Sequence, residues 1–290
     1  MNVLKSLTNT HVKPWRLILS GHHDAYTNMA FDEALLEGYL RCNALPTFRI
    51  YGWKPAAISL GYFQDPVVNL RLDECCRQQI PLVRRLTGGG VLIHDNDLSY
   101  SVVCSAADIG CDTSVTESFK KTCSFLQRAY AVFRLNARFA CEVSPVTVRH
   151  VPASAIRPDF CLASNEKYDL LINGKKLGGN AQKRRKHAFL QHGSIPLQDV
   201  TLQAQTLLRQ RDVLSDTFSW LGDLAAKKVT FDELQYILID SFCQSFGATV
   251  VQGNLTEEEE RIFQDLRDAK YATQEWNYAK SGRKPSTRLP

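Results

Sequence analysis

The stretch YDLLINGKKLGGNAQ, residues 168–182, carries the clearest structural signal in this sequence. Residues 168–172 have strand character, and the Asn173-Gly174 pair supplies the positive φ angles that a tight two-residue turn needs. The pattern predicts a β-hairpin whose second strand covers residues 175–182. Because neighbouring side chains of a strand point to opposite faces, Lys175 and Lys176 diverge and one of them faces inward.

The inward lysine would lie beside Gly178 and Gly179, which leave space above the sheet. A cation in such a place can bind a phosphate or polarise a carbonyl group. An ordinary basic hairpin is the alternative, since residues 183–186 are all basic. The segment alone leaves both interpretations open.

The segments around this hairpin have strand patterns first and helical patterns later. A four-residue apolar repeat predicts a helix after Asn28, a residue suited to cap it. A second helix is expected over residues 114–133, where Ser114 and Glu117 fit a capping box. Helical patterns dominate after Pro196, so the layout predicts an α+β fold with a mixed β-sheet flanked by helices. Further predicted strands begin at Trp15, Thr47, Ala56, Pro81, Val91, Leu98 and His187.

A second segment, RRLTGGGVLIHD at residues 84–95, has three consecutive glycines after a predicted strand. The glycines at 88–90 allow backbone N–H groups to turn toward one point, where a phosphate or carboxylate can approach closely. Arg84 and Arg85 add positive charge beside that point. No Gly-Lys-Ser/Thr ending follows, so this is not a Walker loop. A flexible loop with solvated arginines is the alternative.

Cys161 lies just before the hairpin, where a thiol can act as a nucleophile if a base or a cationic environment lowers its pKa. His94, His150 and His192 are candidate neighbours whose positions the sequence does not define. A buried thiol is the alternative, since free cysteine is among the most buried residue types. The nine cysteines show no zinc-binding or disulfide spacing.

Composition excludes several classes of protein. The chain has 290 residues, of which 44% are hydrophobic and 22% charged, as expected for a large globular domain. The net charge of +5 is mild and no basic stripe is interleaved with aromatics, so a nucleic-acid partner is not expected. No apolar run approaches the roughly 20 residues of a membrane span, and no signal peptide is evident. We therefore expect a cytoplasmic protein without a membrane partner.

Together the motifs resemble those of the lipoate–protein ligase and octanoyltransferase family, which is similar in fold to biotin–protein ligases. The resemblance extends from Trp15 to about Tyr278 and rests on the order and spacing of several stretches. These are NMAFDEALL, RIYGWKPAAISLGYFQ, RRLTGGGVLIHD, KKLGGNAQ, QHGSI and KYATQEWNY. The resemblance implies an acyl chain held in an apolar tunnel beside the glycine loop.

The same resemblance implies a catalytic domain at residues 15–200 and a helical C-terminal part of that domain at residues 201–278. Residues 1–14 would be an N-terminal extension and residues 279–290 a flexible tail. Matched motif to motif, Lys176 corresponds to the family's catalytic lysine. The residues expected to bind the acyl-adenylate are Arg85, Thr87, Gly88, Gly89, Gly90, His94, Asp95, Gly179, Asn180 and Ala181.

Two reactions are compatible with the resemblance, and both attach an acyl group to a lysine of a lipoyl-carrier domain. A ligase uses lipoate, ATP and Mg²⁺ and passes through lipoyl-adenylate. An octanoyltransferase takes octanoate from acyl-carrier protein through a cysteine thioester and needs no ATP. Cys161 lies seven residues before the Tyr168-Asp169 pair, as in cysteine-dependent transferases, whereas Gly90 and residues 179–181 resemble the ligases. The ligase is the leading expectation.

The expected acceptors are lipoyl domains of 2-oxoacid dehydrogenase complexes or the H protein of glycine cleavage. Residues 183–186 are a hypothetical contact for the acidic surface of such a domain. A non-catalytic regulator that binds lipoate or its carrier is a different class, which loss of the loop glycines or of Lys176 would have favoured. A biotin ligase is disfavoured because its Arg-Gly-Arg loop pattern is missing.

Overall fold

The computed structural model describes residues 14–111, 114–143, 168–209 and 218–279. Within these ranges the strands are β1 (Trp15–His23), β2 (Thr47–Trp53), β3 (Ala57–Leu60), β4 (Leu82–Arg84), β5 (Val91–His94), β6 (Asp97–Ser105), β7 (Arg138–Phe139), β8 (Leu170–Ile172), β9 (Lys175–Leu177), β10 (Gly179–Arg185), β11 (Ala188–Pro196), β12 (Phe218–Ser219) and β13 (Val250–Gln252). The α-helices are α1 (Ala25–Arg41), α2 (Pro66–Asn69), α3 (Leu72–Arg77), α4 (Val115–Val132), α5 (Thr201–Leu207), α6 (Leu221–Leu224), α7 (Phe231–Phe246), α8 (Glu257–Leu266) and α9 (Gln274–Asn277). Short 3-10 turns cover Ala107–Ile109 and Ala140–Glu142, and a π-helical turn covers Arg267–Tyr271.

The main sheet has six strands in the order β10-β11-β6-β2-β1-β13. Strand β1 runs parallel to both of its neighbours, while the other pairs are antiparallel. A three-stranded sheet has the order β4-β3-β5, and a four-stranded sheet the order β12-β9-β8-β7. The mixed sheets and their flanking helices confirm the predicted α+β fold.

The predicted hairpin forms, but its second strand divides in two. Strand β9 pairs with β8 in the small sheet, whereas β10 pairs with β11 in the main sheet. Gly178 separates them with a φ of +78°, and a Cβ at this position would lie 2.1 Å from the Ser194 carbonyl oxygen. The prediction of a single strand over residues 175–182 is therefore wrong, because Gly178 adopts a left-handed backbone conformation and bends the chain from one sheet into the other.

Helix α1 begins earlier than its apolar repeat predicts. The carboxylate of Asp24 caps it by accepting hydrogen bonds from the backbone N–H groups of Tyr26 and Thr27 at 2.9 and 3.0 Å. Asn28 lies inside the helix, where its buried side-chain amide donates to the Gly52 carbonyl at 3.0 Å. The predicted capping role of Asn28 is wrong, because Asp24 is the N-cap and packing places Asn28 inside the helix.

Helices cover both faces of the main sheet. On one face, Phe48 of β2 stacks on Phe242 of α7 with ring centroids 4.2 Å apart, and Phe125 of α4 packs against both rings. On the other face, Leu35 and Leu36 of α1 belong to the core cluster formed with β1, β6 and β11. The sheet is therefore the middle layer, and α8 and the π-helical turn pack against α1.

The C-terminal part is not purely helical, since β12 and β13 each join a sheet. It is tied to the main sheet by Arg16 of β1, whose guanidinium donates to both carboxylate oxygens of Glu259 at 2.5 and 2.6 Å. Both side chains are buried, so the pair is shielded from solvent. Among the helices that the structure describes, none combines the length and hydropathy that crossing a membrane requires.

Candidate active site in a cleft beside the glycine loop

A cleft lies where the main sheet faces strand β5 and helix α1. Its walls are partly apolar, with a smaller set of polar groups that converge from several strands, which is the usual composition of a small-molecule site. The lining residues are Met29, Tyr51, Trp53, Arg85, Leu92, His94, Ser99, Gly179, Asn180, Ala181, His192, Gly193 and Ser194.

Of the residues predicted from the sequence, this lining contains Arg85, His94, Gly179, Asn180 and Ala181. The last three lie at the start of β10, where their register pairs them with residues 192–194 of β11. The Asn180 side-chain oxygen accepts a hydrogen bond from the Tyr100 hydroxyl at 2.7 Å. Sheet register thus explains why a continuous sequence motif forms one wall of the cleft.

Thr87, the three loop glycines, Asp95 and Lys176 do not belong to the described walls of the cleft. The Asp95 carboxylate accepts from the side-chain amide of Gln203 at 3.0 Å, at the edge of α5. The sequence places Asp95 beside His94, but alternation along the chain directs the two side chains differently. The Asp95 carboxylate thus contacts α5, and its role in acyl binding stays a prediction.

Arg85 holds the glycine loop from inside the cleft wall. Its Nη2 atom donates to the carbonyl oxygens of Gly88 and Gly90 at 3.2 and 2.8 Å, and its Nη1 atom donates to both Ser59 oxygens. The carbonyl groups of Gly88 and Gly90 therefore point at Arg85. In the described part of the chain, no hydrogen-bond acceptor is found for the backbone N–H groups of residues 88–90, which leaves these donors for a ligand.

Gly61 shapes the same loop, although sequence reasoning did not single it out. Its backbone N–H donates to the Gly90 carbonyl at 3.1 Å, and a Cβ at Gly61 would lie 1.8 Å from the Gly89 carbonyl oxygen. Any side chain at position 61 would therefore displace the loop. The only sequence signal was a glycine within a predicted strand, which does not identify its spatial neighbour.

Arg84 does not provide the second cation that the sequence suggested for the loop. Its buried guanidinium donates to the carbonyl oxygens of Tyr62 and Gln64 at 2.9 and 2.7 Å, and to those of Trp276 and Ala279 at 2.9 and 2.7 Å. These bonds fasten the end of the described chain to β4. Arg84 is therefore structural, because strand alternation turns it away from Arg85.

His94 is held between a carboxylate and a hydroxyl. Its Nδ1 atom lies 2.8 Å from Asp97 Oδ2 and its Nε2 atom 2.7 Å from Ser59 Oγ. The ring stacks on Trp53 with centroids 3.7 Å apart. Asp97 Oδ2 also accepts from the Ser194 hydroxyl at 2.5 Å, so the imidazole is fixed in position and orientation in the cleft wall.

His192 is held in the same way, and sequence reasoning considered it only as a neighbour for Cys161. Its Nδ1 atom lies 2.9 Å from Asp32 Oδ2 and its Nε2 atom 2.7 Å from the hydroxyl oxygen of Thr87. Burial lowers the pKa of His192, although the hydrogen bond to Asp32 opposes the shift. A neutral ring donates to Asp32 and accepts from Thr87, which connects the glycine loop to α1.

Both arrangements have the order carboxylate–imidazole–hydroxyl that is known from serine hydrolases. Ser59 and Thr87, however, are fully buried. A hydroxyl without solvent exposure does not reach a substrate carbonyl, so neither group acts as a nucleophile in this conformation. The two histidines shape and orient the cleft.

Lys176 of β9 is buried and its Nζ atom lies 2.6 Å from Asp169 Oδ2. Leu171 of β8 pairs with Lys176, and Asp169 lies two residues before Leu171 on the same face. Strand register therefore brings the lysine and the carboxylate together. Of the two candidate lysines, the inward one is Lys176, whereas Lys175 is partly exposed.

Cys161 and His150 lie outside the described residues, so their neighbours are not assigned. Eight of the nine cysteines are described, and Cys42, Cys76 and Cys141 among them are exposed. Burial raises the pKa of Cys75 to about 11 and that of Cys123 to about 12. These two thiols are therefore poor nucleophiles at neutral pH.

The family model for the lipoyl protein ligase A/B catalytic domain matches residues 24–243. The chain belongs to this family. Relatives match over nearly the whole length: the octanoyltransferase LipM of Kyrpidia tusciae is 36% identical over 280 residues, covering 93% of this chain and 100% of the relative. The octanoyltransferase LipM of Bacillus subtilis is 32% identical over 275 residues, covering 91% of this chain and 98% of the relative.

Solved structures with the same fold include two lipoate–protein ligases. A lipoate–protein ligase A bound with ATP superposes with a TM-score of 0.75 at 26% identity, covering 91% of this chain and 98% of that one. A bi-partite ligase of Thermoplasma acidophilum, described with its E2 lipoyl domain, has a TM-score of 0.75 at 25% identity and covers 92% of this chain and 96% of its own. This family member is therefore an enzyme, a lipoate–protein ligase or a closely related lipoyl or octanoyl transferase.

Proposed function

We propose that this family member is an octanoyltransferase that moves an octanoyl group from acyl-carrier protein to a lysine of a lipoyl domain, with Cys161 as the intermediate acceptor. The observation that carries the proposal is full-length similarity, at 36% identity, to a LipM octanoyltransferase. The ligases that share the fold reach 25 to 26% identity. The higher identity to a transferase therefore favours octanoyl transfer, whereas the loop glycines favoured a ligase.

The cleft is suited to an octanoyl chain. Met29, Trp53, Leu92 and Ala181 supply apolar surface in its walls. Burying a methylene group against such surface contributes about 0.8 kcal/mol, so an eight-carbon chain gains affinity that a short acyl group lacks. The thioester end of the chain would face the glycine loop, where the backbone N–H groups of residues 88–90 can donate to its carbonyl oxygen.

The reaction has two balanced halves. The Cys161 thiolate attacks the thioester carbonyl carbon, the carbon–sulfur bond to the carrier breaks, and the carrier thiol leaves with the proton that Cys161 gave up. The neutral amine of the target lysine then attacks the new thioester. An amide bond forms, and the Cys161 sulfur leaves with a proton from the amine.

Lys176 and Asp169 would assist at the carbonyl group. Lys176 lies in β9, three residues before Gly179 in the cleft wall, and Asp169 directly precedes β8. The Lys176 ammonium can stabilise the oxyanion that develops in each half-reaction, and Asp169 holds it in place. Cys161 is eight positions before Asp169 in the chain, close enough in sequence to share this site.

A lipoate–protein ligase that forms lipoyl-adenylate is the second candidate. It is favoured by the structural likeness to a ligase bound with ATP and by the unoccupied N–H donors of the glycine loop. ATP would be its cosubstrate with Mg²⁺ as the counter-ion, whereas thioester transfer needs neither. In both cases the acceptor we propose is a lipoyl domain of a 2-oxoacid dehydrogenase complex or the glycine cleavage H protein, with lipoate or octanoate as the acyl group.

The deciding experiment is intact-mass analysis of a purified lipoyl domain after incubation with the enzyme. One reaction contains octanoyl-acyl-carrier protein without ATP, and the other contains lipoate, ATP and Mg²⁺. We expect an octanoyl adduct in the first reaction with wild type, loss of that adduct with Cys161→Ser, and strong reduction with Lys176→Ala. Without the lipoyl domain, wild type should gain the mass of one octanoyl group and Cys161→Ser should not.

Cys141→Ser is the matched control, since Cys141 is an exposed, unpaired cysteine. It should retain both the adduct and the acyl-enzyme. A lipoyl adduct that appears only with ATP and survives Cys161→Ser would contradict the proposal and establish the ligase.

A further inference from the structure

Three cations converge beside the cleft on the face of the main sheet that α1 covers. Ala181 lines the cleft, and Lys183 and Arg185 follow it on the same face of β10. Lys270 approaches from the π-helical turn, a structure that is rare and often occurs at functional sites. We call Lys183, Arg185 and Lys270 the basic track.

Aromatic rings connect the basic track to the glycine loop. The Lys183 Nζ atom lies 5.3 Å from the centroid of Tyr62, whose ring packs edge-on against Trp276 with centroids 5.8 Å apart. The Lys270 Nζ atom lies 4.0 Å from the Trp276 ring. Tyr62 in turn donates its backbone N–H to the Thr87 carbonyl at 2.8 Å. The lysines are thus held beside the loop by packed rings rather than extended into solvent.

The charges of the basic track are incompletely neutralised. Lys270 pairs with the buried Glu33 at 2.5 Å, a carboxylate that also accepts from the Tyr271 hydroxyl. No ion pair to Lys183 or Arg185 is found within the described ranges. Burial lowers the pKa of Lys183, and the charges of Arg185 and Lys270 lower it further against the opposing effect of Glu33. Glu33, and to a smaller extent Glu37, offset the charge of Lys270. Three cations therefore face two carboxylates, one of them directly paired, which favours a bound anion.

From this arrangement, and resting on the proposed function, we infer that the basic track binds the phosphate of a phosphopantetheine arm that carries the octanoyl thioester. The cleft accommodates the acyl chain at one end of the donor, and the track begins two residues further along the same strand face. A strand advances about 3.3 Å per residue, so Lys183 and Arg185 lie roughly 7 and 13 Å beyond Ala181. Cations at that distance meet the anionic end of an extended arm instead of the thioester.

The test compares two small donors that differ by one phosphate group, S-octanoyl-pantetheine and S-octanoyl-4′-phosphopantetheine. Wild type should use the phosphorylated donor with a kcat/KM roughly ten-fold higher, as a charge-assisted contact implies. Lys183→Gln and Arg185→Gln should each bring this ratio toward one by lowering activity on the phosphorylated donor alone. Lys186→Gln is the matched control, because Lys186 is an exposed lysine at the adjacent turn, and its ratio should equal that of wild type.

Equal use of the two donors by wild type would overturn the inference. So would variants that raise the KM for the lipoyl domain without changing the donor ratio, since the track would then bind an acidic acceptor surface. Weaker ATP binding by Lys183→Gln with an unchanged donor ratio would assign the track to a nucleotide and overturn it as well. Lys270 is left intact in these variants because its removal would leave Glu33 buried without a cation.

A binding measurement separates this inference from the proposed function. Calorimetry with 4′-phosphopantetheine and pantetheine requires no acyl transfer. Tighter binding of the phosphorylated compound, lost in Lys183→Gln, would support the basic track even if Cys161 proved dispensable. Equal binding of the two compounds would overturn it even if ATP-independent octanoyl transfer were established.

Discussion

His94 and His192 face the same cleft, and each bridges an aspartate and a hydroxyl, yet their aspartates have different surroundings. Asp32, the partner of His192, contacts the Arg49 guanidinium at 2.7 Å and accepts from the Tyr51 hydroxyl at 3.1 Å. Asp97, the partner of His94, accepts hydrogen bonds from the hydroxyl groups of Ser99 and Ser194. No lysine or arginine pairs with it in the part of the chain that the structure describes. One oxygen of Asp97 has no hydrogen-bond partner there.

Asp32 and Asp97 therefore hold their histidines in different ways, one with a buried cation and the other with neutral donors. Arg49 and Asp32 are both fully buried, and a buried ion pair depends strongly on the presence of both partners. Arg49 also donates to Asn28 of α1, so the pair joins β2, α1 and, through His192, the glycine loop. The Asp97 group orients one side of the cleft with neutral donors and tolerates change more readily.

The largest effect that would test this comparison is expected from Asp32→Asn. The substitution leaves the buried Arg49 without its carboxylate, and we expect the free energy of unfolding to fall by about 3–5 kcal/mol. Urea denaturation measures the change. Glu74→Gln is the control, because it removes an exposed ion pair with Arg77 and should change the free energy of unfolding far less. A similarly small cost for Asp32→Asn would contradict the stronger dependence of the site on Asp32 than on Asp97.

His192→Leu should have the next largest effect. It leaves the buried Thr87 hydroxyl without its acceptor, which costs about 1–3 kcal/mol in the free energy of unfolding. It also releases the connection between α1 and the glycine loop, so acyl transfer to the lipoyl domain should fall. Denaturation and the intact-mass assay measure the two effects. Full activity in a folded variant would show that His192 does not position the loop.

Asp97→Asn should cost about 1 kcal/mol, because an amide oxygen can still accept from His94 and Ser194 and no buried cation is left unpaired. The same urea denaturation, run beside Asp32→Asn, gives the ratio of the two costs directly. If the two substitutions cost the same free energy of unfolding, the Arg49 cation would not be what makes Asp32 important.

The smallest effect concerns pH. An imidazole in the unfolded chain takes up its proton near pH 6.5, whereas burial lowers the pKa of His192 in the folded protein. The unfolded state therefore binds more protons as the pH falls through 6.5, and the free energy of unfolding decreases on acidification. His192→Leu should reduce this slope by at most about 1.4 kcal/mol per pH unit. Parallel slopes for wild type and variant would contradict the prediction.

The elements of the fold followed from local sequence because each signal acts over a few residues. The Asn173-Gly174 turn produced the β8–β9 hairpin, and Ser114 caps α4 by accepting from the Glu117 N–H at 3.0 Å. Helix α1 started earlier than predicted because Asp24 and Asn28 are both acceptable caps and only packing distinguishes them. The division of β9 from β10 depends on space beside Gly178, which local pattern does not describe.

The sequence by itself determined the family, the glycine loop, Lys176 and the start of β10, because these are continuous motifs whose residue types are required by anion and acyl chemistry. Tertiary structure decided which of these groups meet. It paired Lys176 with Asp169, turned Arg84 away from the loop and placed Gly61 against Gly89. It also joined Asp32 to His192 across 160 positions of the chain. Contacts of that separation depend on sheet register and helix packing, which are properties of the whole fold rather than of any segment.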